Sequence, residues 1–185
     1  MDLDKAIEKR HSVRKFKSKR PDLKKIIEAI EAGTKAPLAG NIPTIKFILV
    51  SDKDKIAGLA EASTQDFIAL SNYVVVVCSD PKQCISSYGS RAERYCRQQA
   101  GAAIENFLLK LTDLGLATCW IGVFSDITIK RILNIPDEVD VEAIFPIGYE
   151  FGEAKQKTKP NLDTCVYFDK YKNKYMKPIK KVEAM

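Results

Sequence analysis

The sequence predicts an α+β domain in which helices sandwich one mixed central sheet, and three observations point there. Apolar residues at helical spacing interleave with short β-branched runs and outnumber them. One of those runs, Tyr73 to Cys78, is apolar without alternation, the pattern of a strand covered on both faces. With 185 residues, 45% of them hydrophobic, the chain is long enough to bury a full core, so residues 1–185 are read as one domain ending in an extended segment, 161–185.

The elements follow in order. Leu3, Ala6, Ile7 and Arg10 lie at helical spacing behind Asp2, a capping residue, and the first helix is expected to stop near Arg10. Pro21 and Asp22 open a second helix carrying Leu23, Ile26, Ile27 and Ile30 on one face, with Gly33 expected to end it. A loop from Ala36 to Thr44 leads to a strand over Ile45–Val50, then a short helix over Asp52–Ala62. Asp80 and Pro81 end the strand that begins at Tyr73 and open a turn or helix. The strongest helix runs from Arg91 to Leu114, with Gly115 as its C-cap. A third strand is expected over Ala117–Ile121, a helix capped by Asp126 through Leu133, and a fourth strand over Val141–Tyr149.

Composition excludes several function classes. The longest apolar run is far short of the about 20 residues a membrane-spanning helix needs, and the charged opening Asp2, Asp4 and Lys5 is unlike a signal peptide, so a soluble, cytoplasmic protein without a membrane partner is expected. The five cysteines show no two-residue spacing of the metal-knuckle kind, and the single histidine, His11, cannot build a multi-histidine metal site. No Gly-rich dinucleotide or Walker pattern follows a strand. The net charge of +6 is unevenly spread: residues 1–25 and 155–185 together carry +12 and the stretch between them −6. Two basic ends fit a nucleic-acid footprint, an anion site on which both converge, or simply solvated lysines. No reading helix or aromatic platform accompanies them, which places a nucleic-acid partner last.

Arg10, His11, Ser12, Val13 and Arg14 concentrate two guanidinium forks, a hydroxyl and several backbone amides just past a helix end, a donor set suited to phosphate. The run Arg10-His11-Ser12-Val13-Arg14-Lys15-Phe16 resembles the R-x-S-x-R-x-F opening of the FMN-dependent nitroreductase family. Three further segments resemble that family in the right order. Ala36-Pro37-Leu38-Ala39-Gly40-Asn41 followed by Phe47-Ile48-Leu49-Val50 is similar to its A-P-S-x-x-N loop and first strand, Leu114-Gly115-Leu116-Ala117-Thr118-Cys119-Trp120-Ile121-Gly122 to its G-L-G-x-x-W-I-G strand, and Pro146-Ile147-Gly148-Tyr149 to its P-I-G-Y strand end.

The resemblance implies a nitroreductase-like fold, FMN as cofactor, NADH or NADPH as hydride donor, and a small acceptor such as a nitroaromatic or quinone. It implies that Arg10, His11, Ser12 and Arg14, with Lys157 and Lys159 from the other basic end, gather at the flavin phosphate. It sets Asn41 and Gln65 beside the ring and gives the backbone of Ile121 and Gly122 to its reactive edge. No protein side chain is assigned as a catalyst, because the flavin itself carries the electrons. The resemblance further implies a homodimer with FMN at the interface and the carboxyl-terminal segment crossing to the partner. Leu38 stands where the family has serine, Pro43-Thr44-Ile45 replaces Gln-Pro-Trp, and Gln99 replaces an acidic residue. The altered loop leaves an alternative in view, an FMN-binding sensor or carrier with no dedicated substrate.

Overall fold

The structure is a computed structural model that describes residues 1–152 and 158–176. Lys157 lies outside the described residues, as do positions 177–185 of the tail. The chain divides into two units, Met1–Ala154 and Lys155–Met185.

In the first unit the elements run α1 (Leu3–Lys9), α2 (Leu23–Thr34), β1 (Ile45–Val50), α3 (Lys53–Ser63), β2 (Tyr73–Ser79), α4 (Lys82–Tyr88), α5 (Ala92–Asp113), β3 (Ala117–Thr118), α6 (Asp126–Leu133) and β4 (Asp140–Gly148). Asp2, Asp22 and Asp52 accept backbone N–H bonds in the first turns of α1, α2 and α3, caps worth about 1 kcal/mol each. The second unit holds a short helix, α7 (Leu162–Cys165), and a Tyr167–Tyr171 ring pair with centroids 5.0 Å apart.

The four strands form one sheet in the order β1-β2-β4-β3, every pair antiparallel. Among the described residues the expected mixture of strand directions reduces to an isolated parallel bridge, Ser12 with Thr118. Strand β2 sits centrally, and its alternating residues supply two different cores. Tyr73, Val75 and Val77 join Ile26 and Ala29 of α2 and Ala100, Ile104 and Phe107 of α5. Val74, Val76 and Cys78 join Ile56 and Leu59 of α3 and Ile129 of α6. Each valine so enclosed is worth about 1.5–3 kcal/mol relative to exposure, and this two-sided burial is why the run lacks polar alternation.

Three expectations change in detail. Gly33 does not end α2; it lies inside the helix, where a Cβ would stand 2.7 Å from the Phe47 ring and 3.1 Å from the Ala103 carbonyl, so it is a close-packing residue. Asp126 is the first residue of α6 and Ser125 is its cap. The third strand is two residues long, continued only by a bridge between Ile121 and Ile144. The apolar stripe of α5 is covered within the chain, with Ala100, Ala103, Ile104, Phe107, Leu108 and Leu111 all buried.

Candidate functional site

The segment after α1 is held against two strand ends. The Val13 amide donates to the Thr118 carbonyl at 2.9 Å, the Lys17 amide to Tyr149 at 2.8 Å, and the Phe151 amide to Lys15 at 3.0 Å. Val13 is buried, and in an extended chain its neighbours Ser12 and Arg14 project to the opposite side together. Both are exposed. Among the described residues neither the Ser12 hydroxyl nor the Arg14 guanidinium is engaged in a hydrogen bond or ion pair. Arg10 is half-buried at the end of α1, with Nε 3.9 Å from a Glu105 carboxylate oxygen on α5, too far for a hydrogen bond. The sequence therefore builds a phosphate-type donor set, two guanidinium groups and a hydroxyl, on a segment fixed by the sheet. Beside it the buried Thr118 hydroxyl, on the residue bridged to Ser12, has no partner among the described residues.

His11 differs from its neighbours. Its Nδ1 is 2.7 Å from the Lys9 carbonyl and its Nε2 is 2.9 Å from Oε1 of Glu150. The hydrogen bond to Glu150, followed by that to Lys9, raises the imidazole pKa above its ordinary 6.5. The ring is thus committed to contacts within the protein.

At the end of β3 the structure narrows the candidate backbone donor. The Ile121 amide donates to the Ile144 carbonyl at 3.1 Å and the Ile121 carbonyl accepts from Ile144 at 3.0 Å, so this peptide is spent on the sheet. Of the two peptides in this stretch, that of Ile121 is bonded within the sheet. Gly122 follows it, exposed, with its nearest non-neighbouring atom 3.9 Å from where a Cβ would be. Trp120 lies edge-on to Phe145 at 5.7 Å and keeps about half its surface open. Cys119 is buried on the opposite face of the sheet.

Asn41 and Gln65 come from two other loops, those before β1 and after α3. Asn41 is exposed in a left-handed turn (φ 59°) that asparagine tolerates better than most residues. Its loop is packed on α4: a Cβ on Gly40 would run into the Tyr88 hydroxyl. Thr44, buried at the loop's end, donates to Gln99 Oε1 at 3.4 Å, and the Gln99 amide nitrogen is buried without a partner among the described residues. Gln65 is half-buried at the turn after α3, which is tied to the turn after β3 by the Ser125 amide on the Ala62 carbonyl at 2.8 Å. Lys159 is exposed in the second unit. Reasoning from sequence passed over Glu150 and Thr118; Glu150 meets His11 across 139 residues of chain, and only an unexplained acid directly after a strand end could have signalled it.

Two of the buried thiols, Cys78 and Cys96, are held in the protonated form. Burial pushes the Cys78 thiol up to about 12, and burial together with neighbouring Cys84 pushes Cys96 to about 11. No group of three or more His, Cys, Asp or Glu among the described residues is arranged to hold a metal ion, and no helix among them is long and apolar enough to cross a membrane.

Comparison with known proteins agrees with this architecture. The family model described as "Nitroreductase family" matches residues 7–79 and 61–149. A protein of Archaeoglobus fulgidus that bears the provisional name NADH dehydrogenase/NAD(P)H nitroreductase is 29% identical over 167 residues, covering 85% of this chain and 93% of its own. Among solved structures, a nitroreductase family protein from Clostridium novyi superposes with a TM-score of 0.75 at 28% identity, covering 94% of this chain and 96% of the other. An FMN-dependent nitroreductase from Clostridium difficile gives 0.76 at 26% identity, covering 90% and 98%. A motif of paired arginines fixed to a sheet edge, the two-sided α+β core and a family model spanning most of the first unit lead to one assignment: this chain belongs to the nitroreductase family.

Proposed function

We propose that the chain is an FMN-dependent oxidoreductase that accepts hydride from NADH or NADPH and reduces a small acceptor such as a nitroaromatic or quinone, acting in the cytoplasm. The observation that carries this reading is the uncommitted donor set of Ser12 and Arg14, with Arg10 beside it, on a backbone already fixed by Val13 and Thr118. Family membership and a 26% identical relative described as FMN-dependent support it.

The residues present fit the cofactor. Arg10, Ser12 and Arg14 would hold its phosphate, with His11⁺ adding charge; Lys159 and Lys157 would add the second basic pair, and Lys157 lies outside the described residues. Gly122 would offer its amide to the ring, and Asn41 and Gln65 would offer side-chain amides. When bound, FMN supplies the two-electron redox centre. The chain's own task is then to orient the donor and acceptor and exclude water, which contributes through proximity rather than through an acid or base. The protonated, buried Cys78 and Cys96 thiols and the committed His11 ring agree with that division.

The same reading includes a homodimer with FMN between the subunits. Its support is the exposed apolar surface that one chain leaves open, Leu3 and Ile7 on α1 and Leu23 and Ile27 on α2, together with Tyr171 and Tyr175 in the second unit. Covering such area is worth about 25 cal/mol per Å². FMN titration of the purified chain, followed by flavin fluorescence and light scattering, tests this: saturation at one FMN per chain on a particle of twice the chain mass is expected. Absence of binding overturns the cofactor assignment, and a flavin-loaded particle of one chain mass overturns the dimer. Truncation after Pro160 is expected to weaken both dimerisation and FMN retention if the tail crosses to the partner.

A further inference from the structure

The geometry around His11 carries an inference about how the cofactor's phosphate end is held. Both groups facing the ring, the Lys9 carbonyl at 2.7 Å and the Glu150 carboxylate at 2.9 Å, can only accept. A neutral imidazole has one N–H, so both contacts are hydrogen bonds only when the ring carries two protons. The Lys9 carbonyl belongs to the last turn of α1, where helix carbonyls lack partners and a cation is favoured. Glu150 follows β4 and forms the antiparallel bridge with Phe16. The ring therefore spans the whole Arg10–Phe16 segment, tying its start to its end. Among the described residues the charges that act on it are Glu150, which favours the imidazolium, and Arg10, which opposes it; desolvation also opposes it.

We propose that His11 is a positioning residue for the phosphate end of FMN: the doubly protonated ring clamps the Arg10–Arg14 segment between Lys9 and Glu150, so that cofactor binding and His11 protonation are linked. This rests on the reading of the segment as a phosphate cradle. Loss of the proton removes one of the two ring bonds and one positive charge from between Arg10 and Ser12. By linkage, FMN must in turn hold the proton on His11, and each unit by which it raises the His11 midpoint corresponds to a tenfold span of affinity across the titration.

The chain's single histidine makes the test direct, because its imidazole resonances are the only ones of their kind in the spectrum. NMR titration of the full chain from pH 6 to 9, with and without FMN, is expected to place the His11 midpoint at least one unit higher in the loaded protein. FMN affinity is expected to fall about tenfold between pH 7 and 9 in the wild type and to stay flat in His11→Asn. That range lies above the second phosphate ionisation, near pH 6. Glu150→Gln is expected to lower the midpoint of the FMN-free protein, and riboflavin, which lacks the phosphate, to leave the midpoint where it was. Bound FMN with an unmoved His11 midpoint overturns the linkage, as does a His11→Asn profile that matches the wild type. FMN that fails to bind at every pH overturns the cradle itself, and the linkage with it.

Discussion

The Phe16 ring lies directly on the backbone of Gly148: a Cβ at position 148 would stand 2.6 Å from Phe16 Cδ1 and 2.7 Å from Cγ. The last residue of the amino-terminal motif thus occupies the space left by the glycine at the end of β4, and together they set how closely the motif approaches the sheet. Gly148→Ala is expected to displace the ring at a cost of about 1–3 kcal/mol. Because the displaced segment carries Arg14, the variant is also expected to retain less FMN than the wild type. A thermal melt and flavin content measured on the same preparation check both, and an alanine variant with wild-type Tm and flavin content contradicts the packing argument.

Replacing Arg10 and Arg14 with alanine removes charge-assisted hydrogen bonds worth about 1.5–3 kcal/mol each. The double variant is expected to bind FMN at least a hundredfold more weakly while folding normally, since Arg14 is exposed and the Arg10 contact to Glu105 is long. Isothermal titration with FMN checks it.

Much of the fold was legible in the sequence because it rests on local periodicity. The 3.6-residue spacing in α2 and α5 and the unbroken Tyr73–Cys78 run are consequences of burial that a single segment displays. What was not legible depends on residues far apart in the chain. Gly33 has the composition of a helix stop and serves instead for close approach to Phe47 and Ala103, a contact invisible at position 33 alone. The strand at Ala117 shortens because only Ala117 and Thr118 pair with Gly148 and Ile147 before the chain departs and returns at Ile121. At the site, the residue types of the phosphate segment could be read directly. The engagement of His11 by Glu150 and of the Ile121 amide by Ile144 could not, because each partner lies on β4 or just after it.

Four of the five cysteines are buried and only Cys165 is exposed. A disulfide reagent applied to the native chain at pH 8 is expected to modify one thiol rapidly and the remaining four only after unfolding. Cys119→Ala is expected to keep NAD(P)H oxidation measurable with FMN bound; complete loss of turnover in that variant contradicts a mechanism without a protein acid or base.

Arg97 on α5 holds two acids of β4, with Nη1 2.8 Å from Glu142 and Nη2 3.4 Å from Asp140. The Glu142 side chain is largely buried and also accepts from the Ser79 hydroxyl. Arg97→Met leaves that carboxylate without its cation, and a loss of about 1–3 kcal/mol is expected in urea unfolding at neutral pH. The loss is expected to shrink when Glu142 is also replaced by glutamine, because the stranded charge is then gone.

Stability also depends on pH through His11. Its folded pKa is raised, so the stability it contributes is fully present below about pH 6.5, its unfolded value, and is lost as pH rises through the folded value. The Tm difference between wild type and Glu150→Gln is therefore expected to be largest at pH 6 and to narrow as the medium becomes alkaline. A difference that grows with pH contradicts the assigned pairing.

The central claim is that this chain binds FMN and passes electrons through it from a nicotinamide. Its most direct test is the visible spectrum of the FMN-loaded protein under anaerobic addition of NADH or NADPH. The account predicts a flavin band that is bleached by at least one of the two and returns when a quinone or nitroaromatic is admitted. A bound flavin band that persists under excess of both contradicts the oxidoreductase assignment and leaves an FMN carrier in its place.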